Sequence, residues 1–213
     1  MRKGIVVSAA AFAVTAAAVT PAVAAPRPAN GPDGVTVEIA AVNGTGCPPG
    51  TAAVALSDDK EAFTVTYSDY MAQAGGSSRP IDHRKQCLLS LNLHVPQGYT
   101  YAVSSADYRG YAHLADDAGA VVGASYYFQG NPQTGRVLHN LKGTFDENWQ
   151  FTDRAPADQL IWKPCGEDRN LNIITELRAS DGNPNSSKVS FIAMDSTDSS
   201  IRSTYHFVWK HCY

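Results

Sequence analysis

Two carboxylates next to tyrosines are the residues in this chain best placed to do chemistry. Asp69 precedes Tyr70, Asp107 precedes Tyr108, and Arg109 follows the second pair. Two further acids complete the set of candidates: Glu176 and Asp195. Two carboxyl groups held about 5 to 10 Å apart can hydrolyse a glycosidic bond. An aspartate in a turn more often accepts backbone N–H bonds, so turn capping is the simpler interpretation of each acid.

Aromatic side chains in irregular segments indicate a different chemistry, the recognition of a polysaccharide or a protein surface. Tyr108 and Tyr111 lie on either side of Gly110, and Trp149 falls in an irregular polar segment. Planar rings offer a large contact area at a low cost in conformational entropy. We therefore predict a binding site that draws on the following residues: Asp69, Tyr70, Asp107, Tyr108, Arg109, Tyr111 and Trp149.

Motifs of nucleophilic catalysis are missing from the sequence, so no catalytic residue is assigned. There is no Gly-x-Ser-x-Gly elbow, His-Glu-x-x-His pair or phosphate-binding loop. Residues 57–60 match Ser-x-x-Lys, but they form an acidic turn between two predicted strands, whereas the serine–lysine enzymes need the start of a helix. The sequence favours a protein that is not an enzyme.

Metal ligands are equally sparse, and we predict neither a metal nor a cofactor. The oxygen-rich turns at 57–59 and 195–200 lack the ligand spacing of a calcium loop. His94 and His206 lie on the polar faces of two predicted strands, and they could bind a transition metal only if those strands were neighbours.

The amino terminus carries the pattern of a secretion signal. Arg2 and Lys3 precede an uncharged run of apolar and small residues at 4–19, and Ala22 and Ala24 give the small-x-small pattern of a cleavage site. We predict a signal peptide at 1–24, a Pro/Gly-rich N-terminal arm at 25–34 and a single domain at 35–213. The protein is then secreted to the extracellular space.

The charge balance limits the partners. Of the 17 basic residues, Arg2 and Lys3 leave with the signal, so 15 remain against 20 acidic residues. A mildly acidic chain without a Lys/Arg cluster lacks the electrostatic footprint of a nucleic-acid or anionic-lipid binder. We expect a monomer that binds an extracellular polysaccharide or protein, with no nucleic-acid partner and no membrane partner after signal cleavage.

Four cysteines in an exported chain predict two disulfides, for which three connectivities are possible. The chain contains no Cys-x-x-Cys pair. We prefer the pairing of neighbours in the sequence, Cys47 with Cys87 and Cys165 with Cys212. By closing a loop in the unfolded chain, each bridge would stabilise the fold by about 4 kcal/mol in the chain-entropy model.

Alternation with a period of two dominates from Val35 onward and predicts strands with one buried face. Such runs start at Val35, Phe63, Leu89 and Tyr205, and Pro/Gly/Asp-rich turns separate them. The pattern predicts an all-β fold, a single antiparallel β-sandwich of about nine to eleven strands. Short helices are expected at 69–74 and 155–159, and long loops at 129–164.

Several runs of residues resemble the DUF4360 family, a group of secreted bacterial and fungal proteins known only as a domain of unknown function. The resemblance rests on the segments at 47–51, 63–70, 106–112, 125–130, 164–166, 169–173, 194–198 and 209–212. It covers nearly the whole mature chain. It implies a secreted single domain and adds no catalytic residue.

Two functions follow as hypotheses, and a purely structural role in the cell envelope is a third option. The first is a secreted, disulfide-stabilised binding module for an extracellular polysaccharide, cell-wall or protein partner. The second is a glycosidase-like extracellular hydrolase that uses an Asp/Glu pair. Carboxylates that meet in one concave site would favour the hydrolase, and carboxylates scattered over the surface would argue against it.

Overall fold

The computed structural model describes residues 30–132, 135–183, 187–194 and 202–212. The predicted signal peptide at 1–24, the candidate carboxylate Asp195 and the oxygen-rich turn at 195–200 lie outside these residues. Within the predicted arm, Gly31 is buried, and its N–H donates to the Asp59 carbonyl at 2.8 Å. This part of the arm therefore packs against the domain.

The described residues form two antiparallel sheets, which confirms the predicted sandwich. The strands are β1 Thr36–Asn43, β2 Ala52–Leu56, β3 Ala62–Tyr67, β4 Met71–Ala74, β5 Arg84–His94, β6 Tyr99–Leu114, β7 Gly119–Phe128, β8 Val137–Lys142, β9 Phe145–Arg154, β10 Leu171–Ser180, β11 Ser190–Ala193 and β12 Ser203–His211. Two 3₁₀ helices, Pro80–His83 and Ala157–Gln159, complete the regular structure of this part of the chain.

The smaller sheet has five strands in the order β1-β5-β10-β7-β8. Its strands bury alternate residues, as the period-two pattern predicts: β5 places Leu89, Leu91 and Leu93 against the core at 2% exposure or less. The residues between them form the outer face of this sheet.

The larger sheet has seven strands in the order β2-β3-β12-β6-β11-β4, and β9 pairs with β6 in addition. The 16-residue strand β6 is its centre. Along one edge β6 pairs first with β12 and then, at Tyr111–His113, with β11. Along the other edge it pairs with β9 over ten residues, from Ser105 to Leu114. Side chains from three strands therefore meet on each face of β6.

Tyrosines fill much of the space between the sheets. Tyr67, Tyr70, Tyr108 and Tyr205 are each at most 2% exposed. The Tyr70 hydroxyl lies 3.0 Å from the Thr175 hydroxyl, which joins the larger sheet to the smaller one through the core. Burial raises the pKa of Tyr70 and Tyr205 well above the ordinary value, so both phenols are neutral at any physiological pH.

Both predicted disulfides are confirmed. Cys47 pairs with Cys87 and lies in the core, where the two residues are 0% and 1% exposed. Cys165 pairs with Cys212 near the end of the chain, where Cys165 is exposed. The two bridges close loops of 40 and 47 residues.

Two local predictions are wrong. The segment 69–74 contains strand β4 instead of a helix, because residues 71–74 pair with β11 and bury alternate side chains. The segment 129–164 contains β8 and β9 instead of long loops. Strand β9 lies at a sheet edge, and its core face of Phe145, Trp149 and Phe151 is interrupted by Glu147 and Asp153, so the alternation that identifies a strand is weak there. A short 3₁₀ helix does occupy Ala157–Gln159.

Gly110, which separates Tyr108 from Tyr111 in the sequence, is a packed position within β6. A Cβ at this site would lie 2.1 Å from the Ala193 carbonyl oxygen and 2.2 Å from the Trp149 ring. We expect Gly110→Ala to lower the free energy of unfolding by about 2 kcal/mol, the usual cost of overpacking a core. Urea unfolding would measure the change. Gly135→Ala is the matched control, because no described atom beyond its chain neighbours lies within 4 Å of its Cβ. Equal stability of the two variants would contradict this packing.

Candidate ligand-binding face

The structure separates the predicted binding residues into three groups. The first group is buried: Tyr70, Tyr108 and Trp149 are 0%, 2% and 4% exposed, and their rings pack between the sheets. Trp149 stacks on Phe151 with ring centroids 5.4 Å apart. These three side chains are part of the core, and none of them presents its ring to solvent.

The second group is a single residue, Asp69, which is exposed in the turn between β3 and β4. The third group consists of Asp107, Arg109 and Tyr111, which alternate along β6 and share its outer face. The structure therefore brings together three of the predicted residues on one open surface, and we call it the outer face of the seven-stranded sheet.

A row of polar side chains crosses this face through Asp107. The Asp107 carboxylate accepts a hydrogen bond from the Thr152 hydroxyl on β9, and its other oxygen lies 2.8 Å from His206 Nε2 on β12. Thr204 is paired directly with Asp107, and its hydroxyl lies 3.4 Å from that of Thr64. Partial burial raises the pKa of Asp107, but the bonds from Thr152 and His206 outweigh it and the net pKa is lowered. Asp107 is therefore a carboxylate at neutral pH.

An aromatic platform, formed by Tyr111, His113 and Phe191, lies farther along the same face. The Phe191 ring centroid is 5.9 Å from the Tyr111 ring and 5.9 Å from the His113 ring. Asp146 on β9 holds two of these rings: it accepts a hydrogen bond from the Tyr111 hydroxyl and lies 3.2 Å from His113 Nδ1. The bond from Tyr111, followed by that from His113, holds the pKa of Asp146 below its ordinary value.

Sequence reasoning missed His113, Asp146, Thr152 and Phe191 as members of this face. One signal was available, because the alternation Asp107, Arg109, Tyr111 continues directly to His113. The other residues come from strands whose register with β6 is fixed only by the folded sheet.

Of the carboxylates proposed for hydrolysis, the three that the structure describes do not lie together. Asp107 is on the outer face of the seven-stranded sheet, whereas Glu176 is on β10 of the other sheet and Asp69 is in a turn. On the face itself, Asp146 is paired with His113, six residues along β6 from Asp107. At roughly 3.3 Å per residue the two acids are about 20 Å apart, well beyond the spacing of a hydrolytic pair.

The candidate metal ligands are also apart. His94 and His206 lie in different sheets. In the acidic turn, Asp59 accepts bonds from the Ser57 hydroxyl at 2.5 Å and the Glu61 N–H at 3.0 Å, so its oxygen stabilises the turn. Among the described residues, no group of three or more His, Cys, Asp or Glu side chains is placed to hold a metal ion.

Comparisons with known proteins agree with the sequence resemblance. The family described as "Domain of unknown function (DUF4360)" matches residues 33–212. A protein of Arthroderma benhamiae, described as an uncharacterized secreted protein, is 35% identical over 185 residues, which cover 86% of this chain and 75% of that protein. The description of this relative confirms the predicted secretion.

One solved structure is similar only weakly. The enzymatically active domain of tailspike protein 4 from bacteriophage CBA120 is 10% identical, with a TM-score of 0.27. The match covers 81% of this chain, but the chain spans only 19% of that structure. This likeness is too low to indicate a shared fold or activity. In the part of the chain that the structure describes, no helix has the length and apolar character needed to cross a membrane.

Proposed function

The chain belongs to the DUF4360 family, and on this premise we propose that it is a secreted binding module whose ligand is an extracellular or cell-wall polysaccharide. The ligand lies across the outer face of the seven-stranded sheet. The observation that carries this proposal is the aromatic platform beside a row of hydrogen-bonding side chains on one open face.

The platform supplies the apolar part of the contact. A sugar ring presents flat C–H faces, and the ring systems of Tyr111, His113 and Phe191 form a neighbouring set of planar surfaces on which such faces can pack. Asp146 orients Tyr111 and His113 before any ligand binds. This arrangement reduces the entropy lost on binding, because fewer side-chain rotamers have to be fixed.

The polar row supplies hydrogen bonds to hydroxyl groups. In the row, Asp107 accepts, and Thr204 and Thr64 can both donate and accept; Arg109, between the row and the platform, donates. Asp107 lies four residues along β6 from Tyr111, a distance of roughly 13 Å along the strand. A ligand that reaches both the row and the platform must therefore extend over more than one sugar unit, which favours a polymer over a monosaccharide.

The hydrolase has less support than the binding module. The two carboxylates on this face are separated by six residues of β6, and both are tied to neighbouring side chains. A glycosidase needs one carboxyl group that keeps its proton near neutral pH, whereas the pKa values of Asp107 and Asp146 are both lowered.

The test is retention of the purified mature protein on insoluble chitin, cellulose and peptidoglycan. We expect the wild type to be retained by at least one of them. Tyr111→Ala and Phe191→Ala should each weaken binding about tenfold, the effect of removing roughly 1.4 kcal/mol of ring contact. Tyr111→Phe keeps the ring and should retain most of the affinity.

Tyr127→Ala is the matched control, since Tyr127 is a partly exposed tyrosine on the opposite outer face. It should bind as the wild type does. If no polysaccharide retains the wild type and a protein partner is found instead, the polysaccharide assignment is wrong. If retention is unchanged by both alanine variants, the platform is not the binding surface.

A further inference from the structure

A groove of about 920 Å³ lies over the outer face of the five-stranded sheet, away from the surface described above. Its floor is the start of β7, where Gly119 and Val121 have small side chains or none. Its walls are polar side chains from β5, β10 and β8: Arg84, Arg178, Ser180, Asn140 and Lys142. The groove is open to solvent.

The groove is positively charged in an acidic protein. Arg84, Arg178 and Lys142 line it against a single acid, Asp117. The whole chain has a formal charge of −3. Cations gathered in one concavity attract anions more strongly than the same charges spread over a surface, because the low-dielectric walls focus their field.

A buried carboxylate holds the arginines in place. Glu176 has a side chain only 1% exposed, although it lies on the outer face of the sheet. Arg84 donates to Glu176 Oε2 from Nε at 2.8 Å and from Nη2 at 2.6 Å, and Arg178 donates from Nε to Oε1. Arg136 Nη2 lies 2.6 Å from Oε1.

Three guanidinium groups thus converge on one carboxylate, and two positive charges remain uncompensated. A guanidinium has five N–H donors. The bonds to Glu176 engage two donors of Arg84 and one of Arg178, and both side chains stay 45% and 46% exposed. Glu176 fixes the rotamers of the arginines, so their remaining N–H groups are already ordered where they line the groove.

A glycine in β7 makes this convergence possible. A Cβ at Gly123 would lie 2.7 Å from Arg136 Nη2 and 2.9 Å from Arg136 Nε. Any other residue at this position would displace the Arg136 guanidinium from Glu176. The small outer side of β7 thereby serves two purposes, to admit Arg136 and to leave the groove empty of side chains.

We propose that this groove is an oxyanion-binding site, which takes the carboxylate or phosphate groups of an anionic ligand. Arginine forks match both groups in a two-bond geometry, and Lys142 adds a point charge from the opposite wall. The chemistry is shared by the uronate units of an acidic polysaccharide, by free polycarboxylates and by phosphate. This site is independent of the polysaccharide face, since the two lie on opposite sheets.

Titration calorimetry at low salt with trigalacturonate, citrate and inorganic phosphate tests the proposal. We expect saturable binding of at least one of these probes, and the tightest of them identifies the source of the oxyanion. Lys142→Ala should weaken that binding about tenfold, the usual effect of losing one charged hydrogen bond, and Lys142→Glu should abolish it. Added salt should weaken it as well.

Lys142 is the chosen position because it does not contact Glu176. The arginines also stabilise the buried Glu176 carboxylate, so substituting them would change the stability of the fold as well as anion binding. Lys210→Ala is the matched control. Lys210 lies on β12 of the other sheet, with Nζ 4.0 Å from the Trp162 ring centroid. The Lys210→Ala variant should bind the probes as the wild type does. The absence of saturable binding to all three probes would overturn the proposal, as would unchanged binding by Lys142→Glu. Neither result depends on whether Tyr111 and Phe191 bind polysaccharide.

Discussion

Replacement of both Cys47 and Cys87 by alanine is expected to lower the free energy of unfolding by about 4 kcal/mol or more. The bridge closes a loop of 40 residues, and its loss restores that loop's freedom to the unfolded chain. Because both cysteines are at most 1% exposed, the substitution also removes two sulfur atoms from a packed core. For a domain of this size the melting temperature should fall by roughly 8 to 16 °C.

The second bridge provides the comparison. Cys165–Cys212 closes a loop of similar length, 47 residues, so its removal should cost a similar amount of chain entropy. It should cost less in packing, because Cys165 is exposed. Calorimetry should therefore give the Cys47/Cys87 variant a free energy of unfolding lower than that of the Cys165/Cys212 variant by about 1 kcal/mol or more.

The same difference in burial predicts the order of reduction. In the native protein, mild dithiothreitol should open Cys165–Cys212 first, and alkylation followed by peptide mapping would show it. If the double alanine variant of Cys47 and Cys87 has the same melting temperature as the wild type, the stabilising role assigned to this bridge is wrong.

Glu176→Gln is expected to lower the free energy of unfolding by about 3 kcal/mol at neutral pH. Burial alone would raise the pKa of Glu176, but the bonds from Arg84, Arg136 and Arg178 prevail and lower it from 4.5 to about 2. At about 1.4 kcal/mol per pKa unit this shift corresponds to about 3 kcal/mol of stability. The glutamine would leave three guanidinium groups facing each other without a counter-ion.

The pH dependence provides a separate check. The folded-state pKa of Glu176 is below the unfolded value, so its contribution is complete above pH 4.5 and is lost as the pH falls toward about 2. Urea unfolding at a series of pH values should show the wild type and Glu176→Gln converging over this range. Glu38→Gln, an exposed position on β1, is the matched control and should change stability by less than about 0.5 kcal/mol. A constant difference between wild type and Glu176→Gln from pH 7 to pH 2 would contradict the assignment.

The class of fold could be predicted from the sequence because its signals are local. A strand with one buried face repeats every two residues, and β5 shows the pattern from Cys87 to Leu93 without help from the rest of the chain. The disulfide pairing was a preference among three connectivities, and it agrees with the structure. Edge strands were harder: Glu147 and Asp153 interrupt the aromatic core face of β9, and its pairing with β6 supplies the stability that its own sequence does not show.

The candidate sites depend on the register between paired strands and on the sheet face to which each side chain points, and the local sequence does not encode either of them. Neighbours in sequence such as Asp107 and Tyr108 point to opposite faces of β6, one to solvent and one to the core. Phe191 joins Tyr111, and Arg84 joins Glu176, only through strand pairing across 80 residues or more. A charged residue such as Glu176 gives no sign in the sequence that three arginines will bury it.

The sequence by itself therefore determined the secreted, disulfide-linked β-sandwich, because alternation, turn residues and cysteines act over short distances or through composition. Only the tertiary structure decided which side chains share a surface. It separated Tyr70, Tyr108 and Trp149 from Asp107, Arg109 and Tyr111, and it assembled the Glu176 groove, because a one-residue change of register moves a side chain to the opposite face of a sheet.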